Sequence, residues 1–297
     1  MKILKYSINI IVSFLIIFAV IICILLNILN TKILNKDYIL QKMSETEFNL
    51  QIAREVEAGF EKYIYQSGLP EDTIQNLFTE DMIEKDVNTL VNALYDGTEI
   101  SLSSEEVKTN LDNKINQYIQ SQNMNLNEQG KNNIIKFEDL IVNEYINNIN
   151  VSNKLYENGY EIISEVKNIN NKIGNIPLII LVVLIVIMII VNLKDLLLAI
   201  NFLGISSLTI GILFKMSTSI IFSSVEIDNL VLITKSISNL IISILKENLY
   251  KISDYGNIFI ICGITGILIS VILRNINFTI GKNNKKPLRR CANSKEY

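Results

Sequence analysis

Long apolar runs alternate with polar stretches along this chain, and the clearest run covers residues 176–193. These eighteen residues include no charged side chain. At about 1.5 Å of rise per residue, they form a helix of roughly 27 Å, close to the thickness of the hydrocarbon core of a bilayer. Similar runs cover residues 8–29, 196–214 and 258–273. The pattern therefore predicts four transmembrane helices.

Between the first two spans, residues 31–175 are polar, and their apolar residues recur at helical spacing. We expect the first helix to continue out of the membrane to about Tyr65, and Pro70 to begin a short helix that ends near Phe78. No convincing strand pattern interrupts this region. We therefore predict an all-α membrane protein with four transmembrane helices and an extracytoplasmic helical domain inserted between spans 1 and 2.

Helix-end signals mark the rest of this domain. Thr79 is placed as the N-cap of a helix over residues 80–96, and Gly97 suits the position just after it. Ser103 lies three residues before Glu106, which predicts a capping box at the start of the next helix. The further helices are expected over residues 103–122, 131–148 and 152–173.

These patterns predict an organisation in six parts. The parts are a short cytoplasmic start with span 1 (1–30), the extracytoplasmic helical domain (31–175), a hairpin of spans 2 and 3 (176–214), an extracytoplasmic amphipathic loop (215–257), span 4 (258–274) and a basic cytoplasmic tail (275–297). The first apolar run has 22 residues and is followed by no small-residue cleavage motif, so we interpret it as an uncleaved anchor. The amphipathic loop is expected to pack against the helical domain or, alternatively, to lie in the membrane interface.

Charge is distributed unevenly along the chain. Residues 31–175 contain 13 basic and 24 acidic side chains, a net charge of −11. Three short segments, 1–6, 194–195 and 274–297, together contain ten basic and two acidic side chains, a net charge of +8. Short cytoplasmic segments of membrane proteins are enriched in Lys and Arg. We therefore expect a multi-pass cell-membrane protein with both termini in the cytoplasm.

The composition excludes several kinds of active site. The chain contains no histidine and no tryptophan. Without imidazole, Ser-His and Cys-His hydrolases and most zinc sites are excluded. Cys23 and Cys262 lie in apolar runs, and Cys291 lies in the basic tail, so no cysteine falls in the polar region where a disulfide would be useful. We expect no enzymatic activity, no metal and no cofactor.

Six carboxylates near residue 80 are the most conspicuous polar cluster in the polar region. A calcium loop needs oxygen ligands at alternate positions around a glycine turn, whereas these side chains fall in the first turns and on one face of predicted helices. We therefore expect a solvated helix face. The cluster comprises Glu71, Asp72, Glu80, Asp81, Glu84 and Asp86.

Small residues in the last two spans are candidates for close helix packing. Ser207 and Gly211 lie four residues apart in the third span, and Gly266 and Ser270 have the same spacing in the fourth. A substrate site is the alternative for the polar residues of the third span. Transporter sites tend to contain charged residues or broken helices, and the predicted spans contain no interior Asp, Glu, Lys or Arg.

The cytoplasmic tail carries a cluster of cations directly after the last span. Such clusters serve topology and contact with anionic lipids more often than nucleic-acid binding, so we expect no nucleic-acid partner. The candidate residues are Lys282, Lys285, Lys286, Arg289 and Arg290. No Walker A or dinucleotide-binding glycine motif is present.

The order of these segments resembles that of the permease-like subunit of the cell-division ABC transporter, in topology and length. Two features differ from that subunit. The start before the first span has six residues, and the turn between spans 2 and 3 consists only of Lys194 and Asp195. Neither segment is long enough to couple the chain to an ATPase. The chain also resembles uncharacterised four-span integral membrane proteins of Gram-positive bacteria, most of all in residues 70–111. The first resemblance implies a transport-associated role, and the second implies no activity.

The sequence thus favours a non-enzymatic bacterial integral membrane protein whose extracytoplasmic helical domain binds or regulates an envelope protein. The alternatives are a permease-like or transport-associated membrane subunit and an external hydrolase. The expected partners are the lipid bilayer and a protein outside the membrane, and no pattern determines the oligomeric state.

Overall fold

The computed structural model describes residues 2–67, 69–70, 77–98, 100, 102–149, 153–224, 227 and 234–283. The regular elements of this part of the chain are helical, which confirms the predicted fold class. A π-helical turn, Leu29–Ile33, follows the first α-helix. The α-helices are α1 (Lys2–Ile28), α2 (Lys36–Glu45), α3 (Phe48–Ser67), α4 (Glu80–Asp96), α5 (Ser104–Ser121), α6 (Glu128–Ile149), α7 (Asn153–Ile173), α8 (Ile176–Val191), α9 (Leu196–Ser224) and α10 (Lys235–Asn283).

Four helical segments each contain an eighteen-residue stretch that is apolar enough to cross a membrane. They are Ile3–Ile33, Gly159–Val191, Leu196–Ser224 and Lys235–Ile276. Helices α2 to α6 lie between the first two of these segments and form a soluble helical region. The chain is therefore a four-span protein with a helical region inserted after its first span.

The chain divides into two compact units. We call Leu26–Gly174 together with Glu226–Asn248 the soluble unit, and Met1–Leu25, Asn175–Val225 and Leu249–Tyr297 the membrane unit. Helices α1 and α10 therefore contribute residues to both units.

The core of the soluble unit is built by large side chains from several helices. Phe78 stacks on Phe60 of α3 and on Tyr145 of α6, with ring centroids 4.9 and 5.2 Å apart. Leu111 of α5 and Ile83 of α4 are fully buried in the same core. Burial of apolar surface from α3, α4, α5 and α6 thus holds these amphipathic helices together.

Local signals placed several helix ends correctly. Thr79 caps α4 by accepting a hydrogen bond from the Met82 amide at 3.3 Å, and Gly97 follows the helix with a left-handed φ of 69°. Helices α5, α6 and α7 begin and end within three residues of their predicted bounds. The short helix predicted from Pro70 to Phe78 falls mostly outside the described residues.

The expectation of one helix from the membrane to Tyr65 is wrong, because the helix is interrupted twice. Asn35 is the N-cap of a separate helix, α2, and its side chain accepts a hydrogen bond from the Tyr38 amide at 3.2 Å. Glu47, with a left-handed φ of 51°, separates α2 from α3. Asparagine competes for backbone hydrogen bonds in this way and favours caps over helix interiors.

The last two spans are also longer than predicted. Helix α9 continues ten residues past the expected end of the third span, to Ser224. The predicted amphipathic loop from Lys235 onwards and the fourth span form one helix, α10, of 49 residues, and Gly256 does not interrupt it. In the soluble unit, Leu240 of α10 is buried in the core. Packing against the helical domain is therefore the correct alternative for this part of the amphipathic segment.

Candidate functional site

The first fourteen residues of α10 are an integral part of the soluble unit. Leu240 is buried in its core, and Ile237 and Ile244 pack against the same core. We call the surface where this part of α10 meets α2, α3 and the turn after α1 the α10 seam. The polar residues of the α10 seam are Lys32, Lys42, Gln51, Glu55, Ser236, Asn239 and Glu247.

At the start of α10, the Glu55 carboxylate acts as the helix cap. It accepts hydrogen bonds from the Ser236 amide at 2.8 Å and from the Ser236 hydroxyl at 2.7 Å. The first amides of a helix lack partners within the helix and carry partial positive charge, so a carboxylate is a favourable partner. Four residues earlier in α3, Gln51 accepts a hydrogen bond from Asn239 at 2.7 Å. Two successive turns of α3 thus hold the start of α10.

At the other end of the seam, Glu247 joins two lysines. Its carboxylate lies 2.9 Å from the Lys32 ammonium and 2.5 Å from the Lys42 ammonium. Burial alone would raise the pKa of Glu247, but hydrogen bonds from Lys32 and Lys42 lower it to about 2. The Lys32 ammonium also lies 4.0 Å from the ring centroid of Tyr38. This ionic cluster ties α10 to α2 and to the π-helical turn.

A cavity opens beside the start of α10. Its volume is about 270 Å³, and it is lined by Ile52, Glu55, Val56, Thr234 and Lys235. Small-molecule sites usually measure roughly 300–1,000 Å³, so this cavity suits a single side chain or a small chemical group. Its lining combines apolar side chains with one carboxylate and one ammonium.

A second buried network lies within the helical core at Asp86. The carboxylate is fully buried and accepts hydrogen bonds from the Ser103 amide at 3.0 and 2.9 Å, from the Ser103 hydroxyl at 2.7 Å and from the Tyr145 hydroxyl at 2.7 Å. Burial and the adjacent carboxylate raise the pKa of Tyr145, so its hydroxyl stays a donor. The network joins α4, α5 and α6.

This network corrects two sequence predictions. Asp86 does not belong to a solvated face, whereas Glu80, Asp81 and Glu84 are exposed as expected. Ser103 is the N-cap residue of α5, but its hydroxyl bonds to Asp86 instead of forming the predicted capping box. The sequence did contain a signal, because Asp86 falls on the apolar face of α4, next to Val87.

The other two members of the acidic cluster, Glu71 and Asp72, lie outside the described residues. Among the described residues, no group of three or more His, Cys, Asp or Glu side chains is placed to hold a metal ion.

In the membrane unit, the four predicted packing residues lie along the α9–α10 pair and differ in how closely they contact the other helix. The Ser207 hydroxyl donates to the Phe259 carbonyl at 2.8 Å, and the Ser270 hydroxyl donates to the Leu197 carbonyl at 2.7 Å. A Cβ atom on Gly211 would lie 2.6 Å from the carbonyl oxygen of Gly256. Gly266 is less crowded, since its nearest neighbour would be 3.5 Å away.

The tightest backbone contacts also involve three glycines outside the predicted packing set, Gly204, Gly256 and Gly263. A Cβ atom on Gly263 would lie 2.5 Å from the Leu208 amide nitrogen, and one on Gly204 would lie 3.0 Å from the Gly263 carbonyl oxygen. Gly256 faces Gly211 in the same way. The glycines recur at intervals of seven residues in both helices, a spacing that a search for four-residue intervals does not detect.

A buried amide pair connects α1 and α8 and was also missed. The Asn9 side chain donates to the Asn192 side chain at 3.1 Å, and Asn192 donates back at 2.8 Å. Asn192 also donates to the Met188 carbonyl at 2.7 Å. Both asparagines are fully buried, so the pair satisfies polar groups that would otherwise be unpaired in an apolar environment.

Polar contacts flank the glycine contacts of the α9–α10 pair on both sides. The Lys215 ammonium donates to the Ser253 hydroxyl at 2.8 Å, and the Arg274 guanidinium lies 3.2 Å from the Asp195 carboxylate. Twenty residues separate Asp195 from Lys215, and twenty-one separate Ser253 from Arg274. Each interval corresponds to roughly 30 Å of helix, which is the thickness of a hydrocarbon core.

Lys282 belongs to the last turn of α10. Lys285, Lys286, Arg289 and Arg290 lie outside the described residues, as does Cys291.

Comparison of the chain with protein-family models, with curated proteins and with solved structures found no match.

Proposed function

We propose that this chain is a non-enzymatic membrane protein of a bacterial cell, whose soluble unit lies outside the cytoplasm and binds or regulates an envelope protein. The observation that supports the proposal is the α10 seam. Glu55 and Glu247 hold the first part of α10 within the soluble unit, and the same helix continues without a break as the fourth apolar segment. A change in the soluble unit that loosens the seam would therefore act directly on a membrane-spanning helix.

Binding can be tested by crosslinking on intact cells that make the full chain. A membrane-impermeant amine crosslinker is applied before solubilisation, and the proteins that co-purify with the chain are identified. We expect an envelope protein whose yield falls when Glu55→Ala loosens the seam. The matched control is Arg54→Ala, since Arg54 is exposed on the same helix. Stoichiometric recovery of a cytoplasmic ATPase would instead favour the permease-like alternative.

The proposed orientation places both termini in the cytoplasm. Its support is the net charge of −11 in residues 31–175 and of +8 in the short segments outside them. A thiol reagent that cannot cross membranes should leave Cys291 unlabelled in intact cells. Asn123→Cys, at an exposed position of the soluble unit, serves as the positive control in a background without the native cysteines. Efficient labelling of Cys291 in intact cells would contradict the orientation.

A further inference from the structure

Helix α7 carries an apolar stripe on an exposed face. The stripe, which we call the α7 stripe, consists of Ile162, Val166, Ile169 and Ile173. The exposed fractions of its three isoleucines are 59%, 48% and 45%, and Val166 is half-buried. The soluble unit covers a different side of α7, where Ile163 packs on the core and Lys167 donates to the Tyr95 carbonyl at 3.0 Å. The α7 stripe is thus an additional apolar surface beside the core-facing side.

The spacing of the α7 stripe is that of a coiled-coil seam. Its residues follow one another at intervals of four, three and four, and each of them is β-branched. Residues at these intervals fall within a narrow band of the helix surface, narrower than the face with which a helix covers a globular core. In heptad terms, Ile162 and Ile169 occupy d positions, and Val166 and Ile173 occupy a positions.

A second copy of the chain fits this stripe. Three residues after the stripe, at Ile176, the chain begins the apolar helix α8. Copies inserted into one membrane share one orientation, and parallel pairing of their α7 helices in register sets each stripe residue against its own counterpart. Such an interface is self-complementary by symmetry. Beside the seam, Glu165 of one copy would lie across from Asn170 of the other, so no like charges meet.

The same surface is poorly suited to lipid. Helices that lie in a membrane interface combine a wide apolar face with a polar face rich in Lys and Arg. The α7 stripe is narrow, and Glu161 and Glu165 lie beside it. These carboxylates would be repelled by an anionic membrane surface.

We propose that the α7 stripe is a self-association surface, on which another copy of this chain packs through a parallel coiled-coil seam. Two heptads are too short to associate as isolated helices. Anchoring in the membrane compensates for this short length, because it orients the copies and raises their effective concentration. This inference is independent of which protein the soluble unit binds.

Disulfide crosslinking of the full chain in native membranes tests the geometry. The background carries Cys23→Ala, Cys262→Ala and Cys291→Ser. Ile169→Cys should form a disulfide-linked homodimer under mild oxidation, at least tenfold more than Asn171→Cys on another face of α7. Equal crosslinking at the two positions, no crosslinking at Ile169→Cys, or crosslinking only to a different protein would overturn the proposal.

Energy transfer between labelled full-length chains in phosphatidylcholine vesicles tests the association without oxidation. Ile169→Glu should weaken association at least tenfold. Ile135→Glu, at a side chain of α6 that is 50% exposed, should leave it unchanged. Unchanged association in Ile169→Glu would overturn the proposal. Far-ultraviolet circular dichroism checks that both variants keep their helices, and the crosslinking result stands if Ile169→Glu does not fold.

Discussion

The two units bury polar groups in different ways. The soluble unit encloses the ionisable side chain of Asp86 and surrounds it with three donor groups. In the membrane unit, the described buried polar side chains are uncharged, and Asn9 and Asn192 satisfy each other. A buried ion costs several kcal/mol unless it is compensated. The soluble unit supplies donors from the start of α5 and from α6, whereas the membrane unit pairs neutral side chains with one another and with backbone carbonyls.

The units also differ in how closely their helices approach. Aromatic side chains such as Phe60 and Phe78 fill the space between helices of the soluble unit. In the α9–α10 pair, glycines such as Gly211 and Gly263 bring the backbones together. Apolar side chains gain little from leaving lipid for another apolar surface, so membrane helices associate through close packing and hydrogen bonds. The surrounding solvent thus determines which residues are critical in each unit.

The largest effect is expected from removing the buried carboxylate of the soluble unit. Asp86→Ala leaves the Ser103 amide and the Tyr145 hydroxyl without their acceptor, and should lower the free energy of unfolding by about 3 kcal/mol or more. Urea unfolding of the full chain in mild detergent measures the change. Glu84→Ala, at an exposed position of the same helix, should change it by less than about 0.5 kcal/mol. Equal effects of the two variants would contradict the role of Asp86.

Glycine substitutions in α10 should distinguish crowded from uncrowded positions in the membrane unit. Gly263→Ala places a Cβ atom 2.5 Å from backbone, so the helices must move apart. We expect a loss of about 1–3 kcal/mol, measured by unfolding in mixed micelles with increasing SDS. Gly266→Ala meets its neighbour at 3.5 Å and should be tolerated. If both variants behave alike, the seven-residue glycine spacing does not define the contact.

Breaking the amide pair of the membrane unit should lower the free energy of unfolding by a smaller amount, and either asparagine should have a similar effect. Asn9→Leu or Asn192→Leu alone leaves one buried amide unpaired and should cost about 1 kcal/mol. The double variant removes both polar groups and should recover much of that loss. A double-mutant cycle in mixed micelles measures the coupling. Additive single effects would show that the two asparagines act independently.

The smallest effect at neutral pH is expected for Glu247, because its side chain is 33% exposed and solvent screens its ion pairs, and this effect should depend on pH. Its pKa falls from 4.5 to about 2 on folding, so its stabilising contribution is present above pH 4.5 and is lost as the pH falls from 4.5 to 2. Glu247→Gln should therefore be less stable than the unmodified chain at pH 6 and equally stable near pH 2. Urea midpoints across this range provide the measurement, with Glu84→Gln as the control. A stability difference that stays constant down to pH 2 would contradict the ion-pair assignment.

Several features could be predicted from the sequence because they depend on neighbouring residues alone. Length and apolar composition identify the four spans, since a helix must satisfy its own backbone in lipid whatever it packs against. The ends of α4 follow from Thr79 and Gly97, whose effects are confined to one turn. The bounds of α5 to α7 follow from helical periodicity in the same way.

The candidate site depended on contacts between residues distant in the chain. Glu55 and Ser236 are 181 residues apart, and Asn9 and Asn192 are 183 apart. No local pattern identifies such partners, because the neighbouring residues do not distinguish a Glu or Asn that pairs with a distant segment from one that is exposed to solvent. The burial of Asp86 and the register of the glycines in α9 and α10 were decided similarly. The sequence by itself determined the ends of α4 to α7 to within three residues and which segments can cross a membrane. Only the tertiary structure decided which faces meet, because the free energy of packing depends on shape and polar pairing between segments that the chain brings together after folding.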